Sequence, residues 1–220
     1  MKYKIFLLFI IILFIMVLPV KALPSVTKVY SSNEHLLSQH TMSLEDRYAN
    51  KSVNDVFKDN ILLTIAYLSG KVKDPAKIDW NQVRSNSEYN LVLNPGEVFA
   101  FHDDVLPEFD GKTIKTTNAH FGPSEGFVSD GFLYGDGVCH FASLINWAAR
   151  DAGLKVTAPT NHDFANIPDV PKENGTAIYT TAGKSSASEL QNLYFENNFD
   201  KPVHMVFTYA NNTLTISLYE

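Results

Sequence analysis

Cys139 is the lone cysteine of a 220-residue chain, and that most narrows how the chain can hold itself together. One thiol cannot close an internal disulfide, so the fold must rest on a hydrophobic core. With 45% of its residues hydrophobic, the chain can furnish one.

The restriction matters because the chain begins as an exported protein does. Lys2 and Lys4 precede an unbroken apolar run from Ile5 to Leu18, followed by Pro19, Val20, Lys21 and Ala22. Basic, apolar and small-residue regions in that order form a secretory signal. The run is shorter than the roughly 20 residues of a spanning helix, which favours cleavage after Ala22 over a retained short anchor. The expected location is extracytoplasmic, with membrane contact only through the uncleaved N-terminal segment.

Loss of residues 1–22 removes Lys2, Lys4 and Lys21 and no acid, so the net charge of −6 becomes −9. A chain this acidic is unsuited to binding nucleic acid or anionic lipid through a basic surface. Outside the cytoplasm its thiol must be buried and inert, paired between chains, or chemically employed.

Residues 23–51 are polar and aperiodic and read as a linker. Residues 52–90 read as a helical extension packing on the domain. There Val53, Val56, Phe57, Ile61, Ile65 and Leu68 recur at helical spacing between Ser52, a candidate N-cap, and Gly70. Asp79 to Arg84 suggests one short helix.

Residues 91–220 form the domain itself. Strands are expected near Tyr89–Leu93 and Val98–Phe101, joined through Asn94-Pro95-Gly96-Glu97. A long loop-rich stretch runs from His102 to Tyr134, and a second helix spans Val138–Ala152. Strands follow near 155–158, 177–181 and 190–196, and a hairpin through Asn211-Asn212 joins 203–209 to 213–219. The fold class is therefore α+β: a single domain with two main helices packed on a mostly antiparallel sheet, long loops and a C-terminal β-hairpin.

Gly135-Asp136-Gly137-Val138-Cys139-His140 places two glycines before a cysteine that opens a helix. First-turn amides and the helix dipole favour a thiolate there. A nucleophilic thiol also needs a base, and Asn161-His162-Asp163 is the nearest such group in sequence. The candidate catalytic residues are thus Cys139, His162 and Asp163, arranged as in thiol hydrolases and acyl transferases. His102, Asp104, His120, Asp136, His140 and Asn161, in loops or at element ends, are candidate binding residues. No cofactor is expected.

Two other readings use the same residues. Cys139 could simply pack in the core of a non-catalytic envelope binding module, with Phe109, Phe121, Phe127, Tyr134 and Phe164 stacking on sugar or capping a peptide. Alternatively, the loop histidines could converge on a transition metal, although no compact metal motif is present.

Four segments resemble the VanW-like proteins over about residues 91–219. They are Leu93-Asn94-Pro95-Gly96-Glu97-Val98-Phe99-Ala100-Phe101, Gly135 to Ser143, Ala152-Gly153-Leu154 with His162, and Leu193 to Asn198 followed by Lys201-Pro202-Val203. The resemblance implies a bacterial envelope-associated domain, with cell-wall or surface peptide and glycan material as its partner. This sequence has Asp136 where the family commonly has glycine, and His140 where it has glutamine. A later family aspartate falls at Gly175; if that aspartate orients the histidine in the family, this chain uses Asp163, Asp169 or Asn161 instead or lacks a complete triad.

Overall fold

The computed structural model describes residues 34–131, 134–180 and 186–220; the segment read as a secretory signal, residues 1–22, lies outside them. Asn211 and Asn212 both take left-handed backbone angles, φ 51° and 57°. A two-residue turn of this kind matches the twist of the strands it joins. It connects β7 (Val203–Ala210) to β8 (Thr213–Tyr219), with His204 opposite Tyr219 and Ala210 opposite Thr213.

Both strands alternate. Val203, Met205, Phe207 and Tyr209 of β7 face the core, as do Leu214, Ile216 and Leu218 of β8. Each such side chain removed from water contributes roughly 1.5–3 kcal/mol before entropy is charged against it. β1 (Leu36–Ser43) pairs with β8, and β2 (Ser87–Leu93) pairs with β7, giving an antiparallel sheet in the order β1-β8-β7-β2.

A second sheet holds β3 (Val98–Ala100), β4 (Ile114–Thr116), β5 (Lys155–Thr157) and β6 (Tyr194–Glu196). Its order is β4-β3-β6-β5, and only β3 and β4 run parallel. The α+β class and the terminal hairpin agree with expectation, but the strands divide into two sheets rather than one. β2 and β3 are joined by the expected turn at Gly96, φ 77°, yet they enter different sheets.

Two long helices cover this framework. α1 (Lys51–Leu68) is capped by Asn50, whose Oδ1 accepts from the Ser52 N–H, so the cap falls before the serine that the sequence suggested. α2 is the short Trp80–Val83 segment. α3 (Val138–Asp151) packs on α1, β1, β5 and β8, with Phe141, Ala142, Leu144, Ile145, Ala148 and Ala149 fully buried. α4 (Ser186–Leu190) ends at the start of the expected 190–196 strand, of which only Tyr194–Glu196 enters the sheet. No described helix is long and apolar enough to cross a membrane.

The segment read as a linker contains β1. Its inward positions are Ser38, His40 and Met42, so no apolar alternation advertises the strand. Ser38 Oγ donates to the Ala148 carbonyl at 2.7 Å, and His40 stacks on Trp147 with ring centroids 3.6 Å apart. The His40 ring also pairs with Asp151 at 2.7 Å. Contacts with α3 thus replace the missing hydrophobic pattern.

Met42, 1% exposed, provides the test. Met42→Ala should destabilise the protein by roughly 2–4 kcal/mol, read as a lower urea midpoint with unchanged slope. A linker residue would leave the midpoint where it was.

Candidate functional site

The site begins at a glycine. Gly137 opens α3 with φ 96°, and a Cβ there would lie 2.8 Å from the Phe57 carbonyl oxygen and 3.0 Å from its Cα. Only glycine combines that backbone angle with so close an approach. The contact sets the first turn of α3 against α1. Asn60 of α1 secures the preceding loop: its Nδ2 donates to the Val128 and Asp136 carbonyls, and its Oδ1 accepts from the Val128 N–H.

Cys139 follows in the first turn and is half-buried. Its Sγ accepts from the Ile178 N–H at 3.4 Å and donates to the Ile178 carbonyl at 3.6 Å. In place of the expected strand, residues 177–180 are held piecemeal: the Ile178 backbone by this side chain, and the Ala177 and Tyr179 N–H groups by the Thr160 and Gln191 carbonyls. Burial pushes the thiol pKa up to about 11, and the Ile178 amide offsets only part of that. The resting sulfur is therefore a thiol, against the expectation of a helix-stabilised thiolate.

His162 is 6% exposed. Its backbone N–H donates to the Gly175 carbonyl at 3.2 Å, beside the isolated bridge between Asn161 and Thr176. Its ring lies 4.0 Å from that of Phe164 and meets His140 edge-on at 6.0 Å. Burial lowers its pKa, so the imidazole is neutral at pH 7. Nδ1 is buried with no hydrogen-bond partner among the described residues.

His140 is held differently. Arg47 Nη2 lies 3.0 Å from His140 Nδ1, and the Tyr48 hydroxyl lies 3.4 Å from Nε2. Burial, then the Arg47 charge, pushes its pKa down to about 3.

Cys139, His140 and His162 line one cavity of about 420 Å³, together with Asp136, His120, Tyr48, Phe57, Phe121, Tyr134, Phe164, Tyr179 and Thr180. His162 also borders a second cavity of about 340 Å³, walled by Pro168, Pro171, Lys172 and Gly175.

This arrangement lies largely within a recognisable sequence segment: residues 82–219 match the family described as VanW like protein. The chain belongs to the VanW-like family. No curated protein and no solved structure shows a significant match to it.

The VanW-like segment supplies Cys139, His140 and His162 to the cavity, whereas Tyr48 and Phe57 come from residues before it. Neither Arg47 nor Tyr48 was legible in the sequence. They sit in a polar stretch without period, and only their presence among serines, asparagines and acids sets them apart.

Several nominated residues lie elsewhere. His102 is fully buried, with Nε2 donating to the Gln191 carbonyl and Nδ1 accepting from the Asp104 amide. Asp104 is buried and accepts from the Thr180 hydroxyl at 3.2 Å. Both belong to a network around the buried Asn192, whose Nδ2 donates to the His102 and Asp104 carbonyls. Asn161 and Asp163 are exposed, and neither they nor Asp169 hydrogen-bonds the His162 ring. Backbone anchoring and ring contacts orient the histidine instead. Of the aromatic candidates, Phe109 and Phe127 are core residues, while Phe121, Tyr134 and Phe164 reach the cavity.

The histidines do not assemble a metal centre. Among the described residues no group of three or more His, Cys, Asp or Glu side chains is placed to hold an ion. His120 spends Nδ1 on Glu125 at 2.9 Å and Nε2 on Asp103 at 3.0 Å. Asp136 accepts from the Asp130 N–H at 2.9 Å, and its pKa is raised by burial and by the neighbouring Asp130 carboxylate.

Two measurements check these assignments. Alkylation of Cys139 by iodoacetamide should climb steadily with pH to about 10 without levelling, because the thiolate fraction keeps growing. A plateau near neutrality would contradict a buried, neutral thiol. For His120, burial opposes the charge, but the Glu125 and Asp103 carboxylates outweigh it and raise the pKa above 6.5. The resulting stabilisation is fully present below the ordinary histidine pKa and is lost as pH rises through the folded value. His120→Asn should therefore lower Tm more at about pH 5.5 than at about pH 8.5, by a modest amount for so exposed a group.

Proposed function

We propose that this VanW-like protein is exported and acts on cell-wall or surface peptide material by thiol-dependent acyl transfer. The observation that carries the reading is a neutral His162 imidazole lining the same cavity as the Cys139 thiol. A neutral imidazole carries one nitrogen lone pair that can accept a proton.

The thiol is not ionised in advance. Moving its proton from a thiol near 11 to an imidazole held below the ordinary histidine value is uphill, so proton transfer must accompany attack. Sulfur bonds to the substrate carbonyl carbon, and the proton passes to His162. The bond to the amine or alcohol leaving group then breaks as His162 returns that proton. Water or a second amine completes the transfer by displacing sulfur. The cost is within what enzymes overcome when the reacting groups are pre-positioned. Aromatic side chains around the cleft suit an extended peptide or glycan chain.

A second reading has a specific observation behind it. The two bonds from Cys139 to Ile178 give sulfur a structural task, as a non-catalytic binding module would use it.

Incubation with p-nitrophenyl acetate or solubilised muropeptides, followed by intact-mass spectrometry, separates the two. Acyl transfer predicts an adduct on Cys139 that forms roughly 10²–10⁴-fold more slowly in His162→Ala. Muropeptide binding without any adduct, or acylation indifferent to His162, establishes the binding module instead.

A further inference from the structure

Arg47 is almost wholly buried, and its guanidinium is held on several sides. Nη1 donates to the Ser43 carbonyl at 2.7 Å and approaches Asp169 at 3.4 Å, while Nη2 donates to the Pro168 carbonyl at 3.1 Å and to His140 Nδ1 at 3.0 Å. A guanidinium can only donate. His140 Nδ1 must therefore accept, and the proton of the neutral ring must sit on Nε2.

That nitrogen faces the Tyr48 hydroxyl, at 3.4 Å, a separation long enough to tighten once a ligand is bound. Having accepted from Nε2–H, the phenol oxygen has its own proton left to give, and Tyr48 lines the cleft. The order runs one way: guanidinium to imidazole, imidazole to phenol, phenol outward. Tyr48 is itself fixed. Its backbone N–H donates to Asn54 Oδ1 at 2.9 Å, its carbonyl accepts from Asn54 Nδ2 at 2.8 Å, and its ring packs edge-on against Phe57 with centroids 5.0 Å apart.

We propose that the Tyr48 hydroxyl is a dedicated hydrogen-bond donor of the cleft, receiving a carbonyl oxygen of the acyl ligand, and that Arg47 and His140 are positioning residues that fix its polarity. This deepens the acyl-peptide reading of the cleft and rests on it. The cleft then selects an acceptor group, such as an amide or ester carbonyl, over a donor at that point. Burial raises the phenol pKa, which keeps the hydroxyl protonated.

The experiment keeps binding apart from chemistry by using the full chain with Cys139→Ser, which retains a hydrogen-bonding group toward Ile178. Affinity for N-acetylalanine methyl ester, whose carbonyls only accept, is followed by NMR titration. Adding Tyr48→Phe should weaken binding about tenfold, and adding His140→Ala should do much the same. His140→Gln should restore it, because the glutamine carbonyl can take the Arg47 bond while its amide donates onward. In the parent protein, ¹⁵N shifts should show His140 protonated at Nε2 alone. Failure of the probe to bind, unchanged affinity in Tyr48→Phe, or a proton on Nδ1 of His140 overturns the proposal. Binding that depends on Tyr48 in a protein whose Cys139 is never acylated sustains the donor assignment while the acyl-transfer reading falls.

Discussion

The contact between Gly137 and the backbone of Phe57 is the constraint on which the site depends. Without a Cβ in the way, the first turn of α3 settles against α1. His140 thereby comes to lie between Phe57 and Tyr48, and Cys139 is turned toward the segment at Ile178. A helix start displaced by even one ångström would separate these groups. The glycine is thus a joint between two helices as much as a turn residue, which its place in a Gly-Asp-Gly-Val-Cys motif does not by itself reveal.

Much of the fold was legible because hydrophobic period and turn chemistry agreed. α1, α3 and the β7–β8 hairpin all combine strong periodicity with a clear stop, and each appears within a few residues of its expected place. β1 was not legible, because its inward face is serine, histidine and methionine, held by a helix carbonyl and a tryptophan ring more than a hundred residues away. The 177–180 segment failed in the opposite sense: its sequence suits a strand, but its backbone bonds are shared among a thiol and the separate carbonyls of Thr160 and Gln191.

The site divided along the same line. Cys139, His140, His162, His120 and Asp136 converge as side chains on loops and at a helix start. His102 and Asp104 have the same residue types in an equally loop-like setting, yet they are consumed by internal hydrogen bonds around Asn192. Sequence cannot separate an acid or histidine that faces a cavity from one that satisfies buried amides, because both demand the same chemistry. Arg47 and Tyr48 are invisible for a different reason: their role arises from tertiary pairing with α3, to which nothing in their own neighbourhood corresponds.

The pair of hydrogen bonds between Cys139 and Ile178 has a mechanical consequence. The sulfur gives one donor and one acceptor to the Ile178 backbone, while the flanking Ala177 and Tyr179 N–H groups bond the Thr160 and Gln191 carbonyls. A substituent on sulfur removes the donor, and the Ile178 carbonyl then has to find water or move. Any substituent on this sulfur would therefore loosen the wall of the cleft at Ile178.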